Sequence, residues 1–315
     1  MNKPDAKNIS HQLTGFIEFV VGRTIQRATF PSHKTEQVLE IKEYDYLLSF
    51  DLAPNRGDRL IETLNILEGD SIILSSGNQF QVIFDKDFFT RFSSFSPTNK
   101  EFSYLYSKYD RALENWVKPS YLYLASLDGK TNRKVSDLPL SYYRPVWFPD
   151  GRRIAVTTVD YAIYIVDIES KTEKKIIDFG AGPAISHDGK YIAFLSKDVS
   201  EAKKEQIRAY RNITEAAYLE AGKKNDPASK AIVVLATEIM YFDIYLYDIE
   251  TGETKKLTHK EKIMDQGVLW SPDGKYLAYN DEGLMSHEIY IVEVATGQQE
   301  KLTSIQGELM VWRKN

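Results

Sequence analysis

Histidine, serine and cysteine supply many of the nucleophiles, bases and metal ligands of enzymes, so their spacing was considered first. The histidines are His11, His33, His187, His259 and His287, and no two have the spacing of a metal-ligand pair. The chain has neither a Gly-x-Ser-x-Gly nucleophile motif nor a glycine-rich phosphate loop. It has no cysteine, which excludes thiolate metal sites, disulfides and a cysteine nucleophile. We therefore predict no catalytic residue, no metal site and no cofactor.

Side chains suited to binding are more prominent. Tyrosine, tryptophan and arginine dominate the energetics of protein interfaces. The candidates of these types for a partner-binding surface are Tyr109, Trp116, Tyr142, Tyr143, Arg144, Tyr210 and Tyr218. They are far apart in sequence, so they can act together only if the elements that carry them meet in space.

A repeated unit indicates what those elements are. Its clearest copies are Val146–Gly151, Ile185–Lys190 and Leu269–Lys275. In the full motif, proline fixes φ at the first corner of a turn, aspartate accepts backbone N–H groups and glycine takes the positive φ that follows. Each copy is followed by a short apolar strand, a second strand with an acidic end, a tight turn and a basic strand. The unit is therefore four strands.

The spacing of the unit predicts a closed ring. Weaker copies surround Pro54 and Pro97, and Trp312 follows Trp270 by one period. Four strands in about 40 to 45 residues are typical of a propeller blade. We predict an all-β, six-bladed β-propeller of four antiparallel strands per blade, with residues 1–315 as a single domain. The last strand is expected to complete blade 1, which removes the free sheet edges.

The Trp270–Lys275 segment, Trp-Ser-Pro-Asp-Gly-Lys, is followed by Ile289–Val292 and by Lys301–Thr303. This pattern resembles the TolB-like propeller repeat, clearly over residues 92–304 and weakly over 15–91. The resemblance implies the propeller fold. The family includes periplasmic interaction modules and propeller domains attached to peptidases, so it implies either a binding role or a role beside a peptidase.

Blade 5 contains more chain than four strands need. We predict a helical insertion over 199–241 between its second and third strands. Ser200 can cap a helix that runs to about Ala221, and a second helix would begin at Asp226. The tract Ile232–Leu235 is rich in β-branched residues, which leaves a strand open as the alternative to the second helix.

Blade 3 also has a long connection between its second and third strands, Ser107–Ser120. In a four-stranded blade, such connections share one face of the ring with the blade-to-blade loops, including the loop over 140–144. We call this the insertion face, and the opposite side the turn face. The seven candidate binding residues are thus predicted to form one partner-binding surface. The alternatives are that the tyrosines pack between blades, that Trp116 anchors its own loop, and that the helix packs onto its own propeller.

Two acidic residues support an enzymatic alternative. Asp265 and Glu308 enter the inner strands of the adjacent blades 6 and 1, at the rim of the predicted channel. Paired carboxylates carry out glycoside hydrolysis as acid and base or nucleophile. The alternative function is a hydrolase or lyase that acts on a glycan or peptide in the channel.

Composition limits the partners. Hydrophobic residues make up 43% and charged residues 27% of the chain, and the net charge of −5 comes from interspersed charges. This is globular composition without a basic footprint for nucleic acid. No apolar run reaches the roughly 18 residues needed for membrane insertion. The sequence as written has no leader and predicts a cytoplasmic protein, or a periplasmic one if a leader was removed. Our leading hypothesis is a non-catalytic scaffold for a protein or peptide, with homodimerisation through the insertion left open.

Overall fold

The described residues form six four-stranded antiparallel sheets. The computed structural model describes residues 9–54, 57–65, 69–77, 79–85, 89–110, 115–211, 242–259, 263–281, 288–306 and 308–314. The prediction of an all-β, six-bladed propeller is confirmed.

The first three blades follow the chain from its N-terminal side. A 3₁₀ helix, Ile9–Gln12, precedes them. Blade 1 contains β1 (Gly15–Val21), β2 (Thr24–Phe30) and β3 (Lys34–Glu40). Blade 2 contains β4 (Tyr46–Leu52), β5 (Arg59–Asn65), β6 (Gly69–Ser76) and β7 (Gln79–Asp85). Blade 3 contains β8 (Phe89–Phe95), β9 (Glu101–Asp110), β10 (Asn115–Ser126) and β11 (Asn132–Lys134).

The remaining strands complete the ring. Blade 4 contains β12 (Val146–Trp147), β13 (Arg153–Thr157), β14 (Ile163–Asp167) and β15 (Thr172–Ile177). Blade 5 contains β16 (Ala181–Ile185), β17 (Tyr191–Ser196), β18 (Asp243–Asp248) and β19 (Thr254–Lys256). Blade 6 contains β20 (Ile263–Trp270), β21 (Tyr276–Asp281), β22 (Glu288–Glu293) and β23 (Gln299–Gln306). The last strand is β24 (Glu308–Arg313), and the helix α1 (Glu201–Arg211) lies within blade 5.

The repeated turns have the chemistry that their sequence predicts. Asp273 accepts a hydrogen bond from the Ser271 hydroxyl at 2.7 Å and from the backbone N–H of Lys275 at 3.1 Å. Gly274 follows with a φ of 72°, a left-handed conformation that few other residues adopt without strain. Asp188 makes the same two kinds of contact within its own turn. The carboxylates of these aspartates therefore hold turns together.

Tryptophans in the inner strands join neighbouring blades. Trp147 of blade 4 donates its indole N–H to the Ser94 carbonyl of blade 3 at 3.2 Å. Trp270 of blade 6 donates in the same way to Ala184 of blade 5 at 3.0 Å. Both rings are buried. The repeat thus places a large apolar group with one satisfied polar atom at these blade interfaces.

The C-terminal strand closes the ring as predicted. β24 pairs antiparallel with β1, and Ile17 is the register partner of Trp312. Trp312 is 1% exposed, and its indole N–H donates to the Thr14 carbonyl at 3.1 Å. Blade 1 is therefore built from both ends of the described chain.

The first helix of the blade 5 insertion is present and packs onto the propeller. The Ser200 hydroxyl accepts a hydrogen bond from the backbone N–H of Lys203 at 3.4 Å, which is the predicted cap. Ile207 is 1% exposed within an apolar cluster that includes Phe179 and Phe242. Of the alternatives for this helix, packing onto its own propeller is the one observed. The proposed second helix, and the strand that was its alternative, lie outside the described residues.

The blade 3 insertion differs from its prediction. β9 and β10 extend into the segment expected to be a loop, and Tyr109 is the register partner of Trp116. Aromatic and β-branched residues favour paired strands, and cross-strand pairs stabilise such an arm. The expected aromatic loop is therefore a two-stranded arm at these two positions.

None of the helices among the described residues is long and apolar enough to cross a membrane.

Candidate functional site: the central channel

The inner strands of the six blades surround a cavity of about 820 Å³ along the ring axis. Its wall runs from Tyr46 and Tyr142 on the insertion face to Pro97 and Pro149 on the turn face. Apolar side chains of the inner strands line the middle of the wall; they include Leu47, Phe92, Val146, Trp147, Val268 and Trp270. A concave, mostly apolar site with a few fixed polar groups is the usual form of a ligand-binding cavity.

Two glycines allow blades 5 and 6 to approach closely at this wall. Gly182 has a φ of 57° and Gly267 a φ of 89°. A Cβ atom at position 182 would lie 3.1 Å from the Cα of Gly267, so the neighbouring backbone would have to move. At Gly182 and Gly267 the wall therefore consists of backbone atoms.

The three consecutive candidates have three different environments. Tyr143 is 4% exposed and packs in the apolar cluster between blades, so its ring is not available at the surface. Tyr142 is half-buried and lines the cavity. Arg144 reaches from blade 4 to blade 2, where it donates to the Phe50 carbonyl at 3.0 Å. All three residues line the channel cavity, with Tyr143 buried in its wall.

A buried carboxylate faces that arginine. Asp51 is 6% exposed, and its Oδ1 lies 4.0 Å from Arg144 and 3.8 Å from Arg313. It accepts hydrogen bonds from the backbone N–H groups of Leu52 at 2.9 Å and Phe95 at 2.8 Å. Two guanidinium groups from different blades therefore share one carboxylate at the channel wall.

Sequence reasoning missed three residues of this site: Tyr46, Asp51 and Arg313. Tyr46 is 52% exposed at the insertion-face mouth, yet the weak repeat copy that contains it gives no signal for an aromatic. Arg313 directly follows the closing tryptophan, so its position near the axis could have been found from the closure itself. Nothing in the sequence pairs Asp51 with either arginine.

The other candidate binding residues lie on the blade 3 arm and on the blade 5 insertion. Tyr109 and Trp116 occupy paired positions on the blade 3 arm, and Tyr210 lies in α1. The description does not extend to the side chains of these three residues, nor to any part of Tyr218. Their role as partner contacts stays a prediction.

The two acidic candidates for catalysis lie on neighbouring blades as predicted. Asp265 is in β20 of blade 6, and Glu308 begins β24 of blade 1. Their side chains fall outside the described set. Among the described residues, no group of three or more His, Asp or Glu side chains could hold a metal ion.

Comparisons with solved structures agree with the ring and its repeat. The crystal structure of TolB from Acinetobacter baumannii matches 96% of this chain with a TM-score of 0.69 at 19% identity, and the match covers 67% of that chain. A nidogen/laminin complex contains a chain that matches 94% of this one with a TM-score of 0.63 at 11% identity, over 96% of its own length. The chain has the TolB-like six-bladed propeller fold.

The sequence relatives of this TolB-like propeller include two proteins described as uncharacterised. Residues 238–312 match the family model described as the dipeptidyl peptidase IV N-terminal region. The uncharacterised protein Atu1656 of Agrobacterium fabrum is 26% identical over 182 residues, which is 51% of this chain and 61% of that protein. The uncharacterised peptidase YuxL of Bacillus subtilis is 27% identical over 160 residues, or 50% of this chain. The matches span 61% of Atu1656 and 18% of YuxL, so both relatives extend beyond the matched part.

Proposed function

We propose that this TolB-like propeller is a non-catalytic binding module that holds a protein or peptide partner at the insertion-face mouth of its channel. The observation that supports this most directly is the open cavity of about 820 Å³, with Tyr46 and Tyr142 at its mouth and Arg144 on its wall. Aromatic rings beside an arginine are the side chains expected of an interface hot spot.

The arrangement suits an extended segment better than a flat surface. Tyr143 is buried between blades and Ile207 anchors α1 to its own propeller, so the described part of these elements is packed rather than presented as a broad face. The cavity instead offers apolar contact from the inner strands, with Tyr142 and Arg144 as polar groups on its wall. One chain segment could fill it, because extended peptides are recognised by backbone contacts together with side-chain pockets.

A structure with the same fold supports a partner of this class. The matched chain of the nidogen/laminin structure was solved as a protein complex. That likeness is of fold alone, so it supports a protein partner in general and leaves the identity of the partner to experiment.

The proposal can be tested without knowing the natural partner. A phage-displayed library of random linear peptides is selected on the immobilised protein, and enriched peptides are then measured by fluorescence anisotropy. We expect Tyr142→Ala combined with Arg144→Gln to weaken binding of these peptides at least tenfold, because both side chains lie at the channel.

A matched variant controls for loss of charge. Arg133 lies on the outer strand of blade 3, is 51% exposed and pairs with Glu101 at 3.0 Å. Arg133→Gln should bind the selected peptides as the unaltered protein does. The proposal fails if no peptide is enriched, or if the peptides bind the channel variant and the Arg133 variant equally well.

The enzymatic alternative is supported by one specific finding, the similarity to a protein named as a peptidase. It assigns Asp265 and Glu308, on adjacent inner strands, as the acidic pair of a hydrolase or lyase in the channel. Dipeptidyl p-nitroanilides and polygalacturonate are suitable probes. Turnover that disappears in both Asp265→Asn and Glu308→Gln would replace the binding proposal, whereas no turnover of either probe would count against this alternative.

A further inference from the structure

A second concave site lies on the turn face, beside the end of the channel farthest from the proposed partner. It has a volume of about 580 Å³, and we call it the turn-face cleft. Trp312 and Arg313 line both this cleft and the channel, so the two are continuous. The loop and strand residues of blades 1 and 2 form most of its wall.

The charge of this cleft is opposite to that of the whole chain. The protein carries a net charge of −5. Among the described residues that line the cleft, the ionisable ones are Arg27, His187, Arg313 and Lys314, and none is acidic. A cleft lined by one sign of charge concentrates ligands of the opposite sign.

The basic groups differ in how firmly they are held. Arg27 donates to the fully buried Glu18 at 2.6 Å and 3.0 Å, so its charge is paired. Arg313 has longer contacts, 3.4 Å to the Trp312 carbonyl, 3.5 Å to the Leu52 carbonyl and 3.8 Å to Asp51. Because a guanidinium group has five N–H donors, Arg313 keeps donor capacity for a bound oxyanion.

His187 experiences the positive field of the cleft. Partial burial lowers the pKa of its imidazole first, and the nearby charges of Arg313 and Lys314 lower it further. A hydrogen bond with the Ser271 backbone and the charge of Asp188 act in the opposite direction. An anion bound beside Arg313 would offset part of the positive field and raise this pKa.

The apolar part of the wall shows that a simple inorganic ion would not fill the site. The half-buried Phe16 lines the cleft together with Pro54 and Pro272. The guanidinium of Arg27 lies over the Phe16 ring at 4.3 Å, which fixes that ring in place. The cleft therefore combines a basic end with a rigid apolar wall.

We propose that the turn-face cleft binds a small ligand with an anionic carboxylate or phosphate group and an apolar body. Arg313 and Lys314 hold the oxyanion, and Phe16, Pro54 and Pro272 pack against the apolar part. This site lies on the turn face, at the end of the channel opposite to the insertion-face mouth.

Three probes of similar shape separate the chemistries: phenyl phosphate, benzoate and neutral benzamide. Each is titrated into the protein while the His187 imidazole is followed by NMR. We expect saturable binding of phenyl phosphate, benzoate or both, with a rise in the His187 pKa, and no such rise with benzamide. Whether phosphate or carboxylate binds more tightly identifies the oxyanion of the ligand.

The Arg313→Gln and Lys314→Gln double variant should weaken binding roughly tenfold or more, because it removes both charges that hold the oxyanion. Lys275→Gln is the matched control, because Lys275 lies on the same face, is 70% exposed and does not line the cleft. Melting temperatures of all variants establish that they are folded. The proposal is overturned if neither anion saturates, if benzamide binds equally well, or if the double variant retains the unaltered affinity.

Discussion

Buried carboxylates fix the backbone of blades 2 and 3 at the channel wall. Glu62 is 1% exposed and accepts hydrogen bonds from the Ser49 hydroxyl at 2.6 Å and from the backbone N–H of Phe92 at 2.8 Å. The backbone N–H of Ser93 donates to the other carboxylate oxygen of Glu62. Phe92, a residue of the channel wall, has a φ of 60°, a conformation that costs energy for any residue with a side chain. Glu62 therefore supports a strained segment of the candidate site.

Replacing the Glu62 carboxylate should lower the stability of the protein. We expect Glu62→Ala to lower the free energy of unfolding by about 3 kcal/mol, because it leaves buried N–H donors without an acceptor. Glu62→Gln keeps one acceptor oxygen and should lower the free energy of unfolding by less than Glu62→Ala does. Urea denaturation followed by circular dichroism measures both.

Glu101 provides the comparison for Glu62. Its carboxylate is more exposed and forms a surface ion pair with Arg133 at 3.0 Å. Glu101→Ala should cost less than about 1 kcal/mol, as surface ion pairs usually do. Equal losses in Glu62→Ala and Glu101→Ala would show that the buried carboxylate does not support the wall.

At the scale of single elements, the blades could be predicted wherever the turn motif is complete. Pro-Asp-Gly followed by apolar strands identified blades 4 and 6, and the Ser200 cap identified the start of α1. The arm of blade 3 could not be predicted in this way, because strand pairing between Tyr109 and Trp116 depends on register and has no local turn motif. Local chemistry specifies turns and caps, whereas pairing over a distance is specified by the fold.

The position of α1 leads to a prediction at this same scale. Ile207 is its buried anchor in the cluster that contains Phe179 and Phe242. We expect Ile207→Ala to lower the free energy of unfolding by about 3 kcal/mol through lost apolar contact and a cavity. Amide hydrogen exchange should also become faster in α1, because Arg208 then holds the described part of the helix through hydrogen bonds to the Asp160 and Asp178 carbonyls.

The neighbouring residue provides the control for the helix. Gln206 is exposed on α1, and Gln206→Ala should change stability by less than about 0.5 kcal/mol. If the amide hydrogens of α1 exchange at the same rate in Ile207→Ala and Gln206→Ala, and the two variants are equally stable, then α1 is not anchored through Ile207.

At the scale of the whole molecule, ring closure brings the polar groups of the channel together. Asp51 of blade 2 meets Arg144 of blade 4 and Arg313 of blade 1 only because β24 returns to the first sheet. The closing strand could be predicted from the period that separates Trp270 and Trp312. The three-way contact could not, since it depends on which side chains face the axis of the closed ring.

Closure also leads to the prediction with the largest expected effect. Deletion of residues 308–315 removes β24, leaves the inner edge of β1 unpaired and uncovers the apolar cluster that Trp312 fills. An unpaired strand edge beside exposed apolar surface favours aggregation. We expect this variant to lose its cooperative thermal transition and to elute as large species in size-exclusion chromatography with light scattering. Deletion of residues 314–315 alone keeps β24 and should behave as the full chain does. A monomeric, cooperatively folding 308–315 deletion would show that five complete blades and a three-stranded sixth are stable without the closing strand.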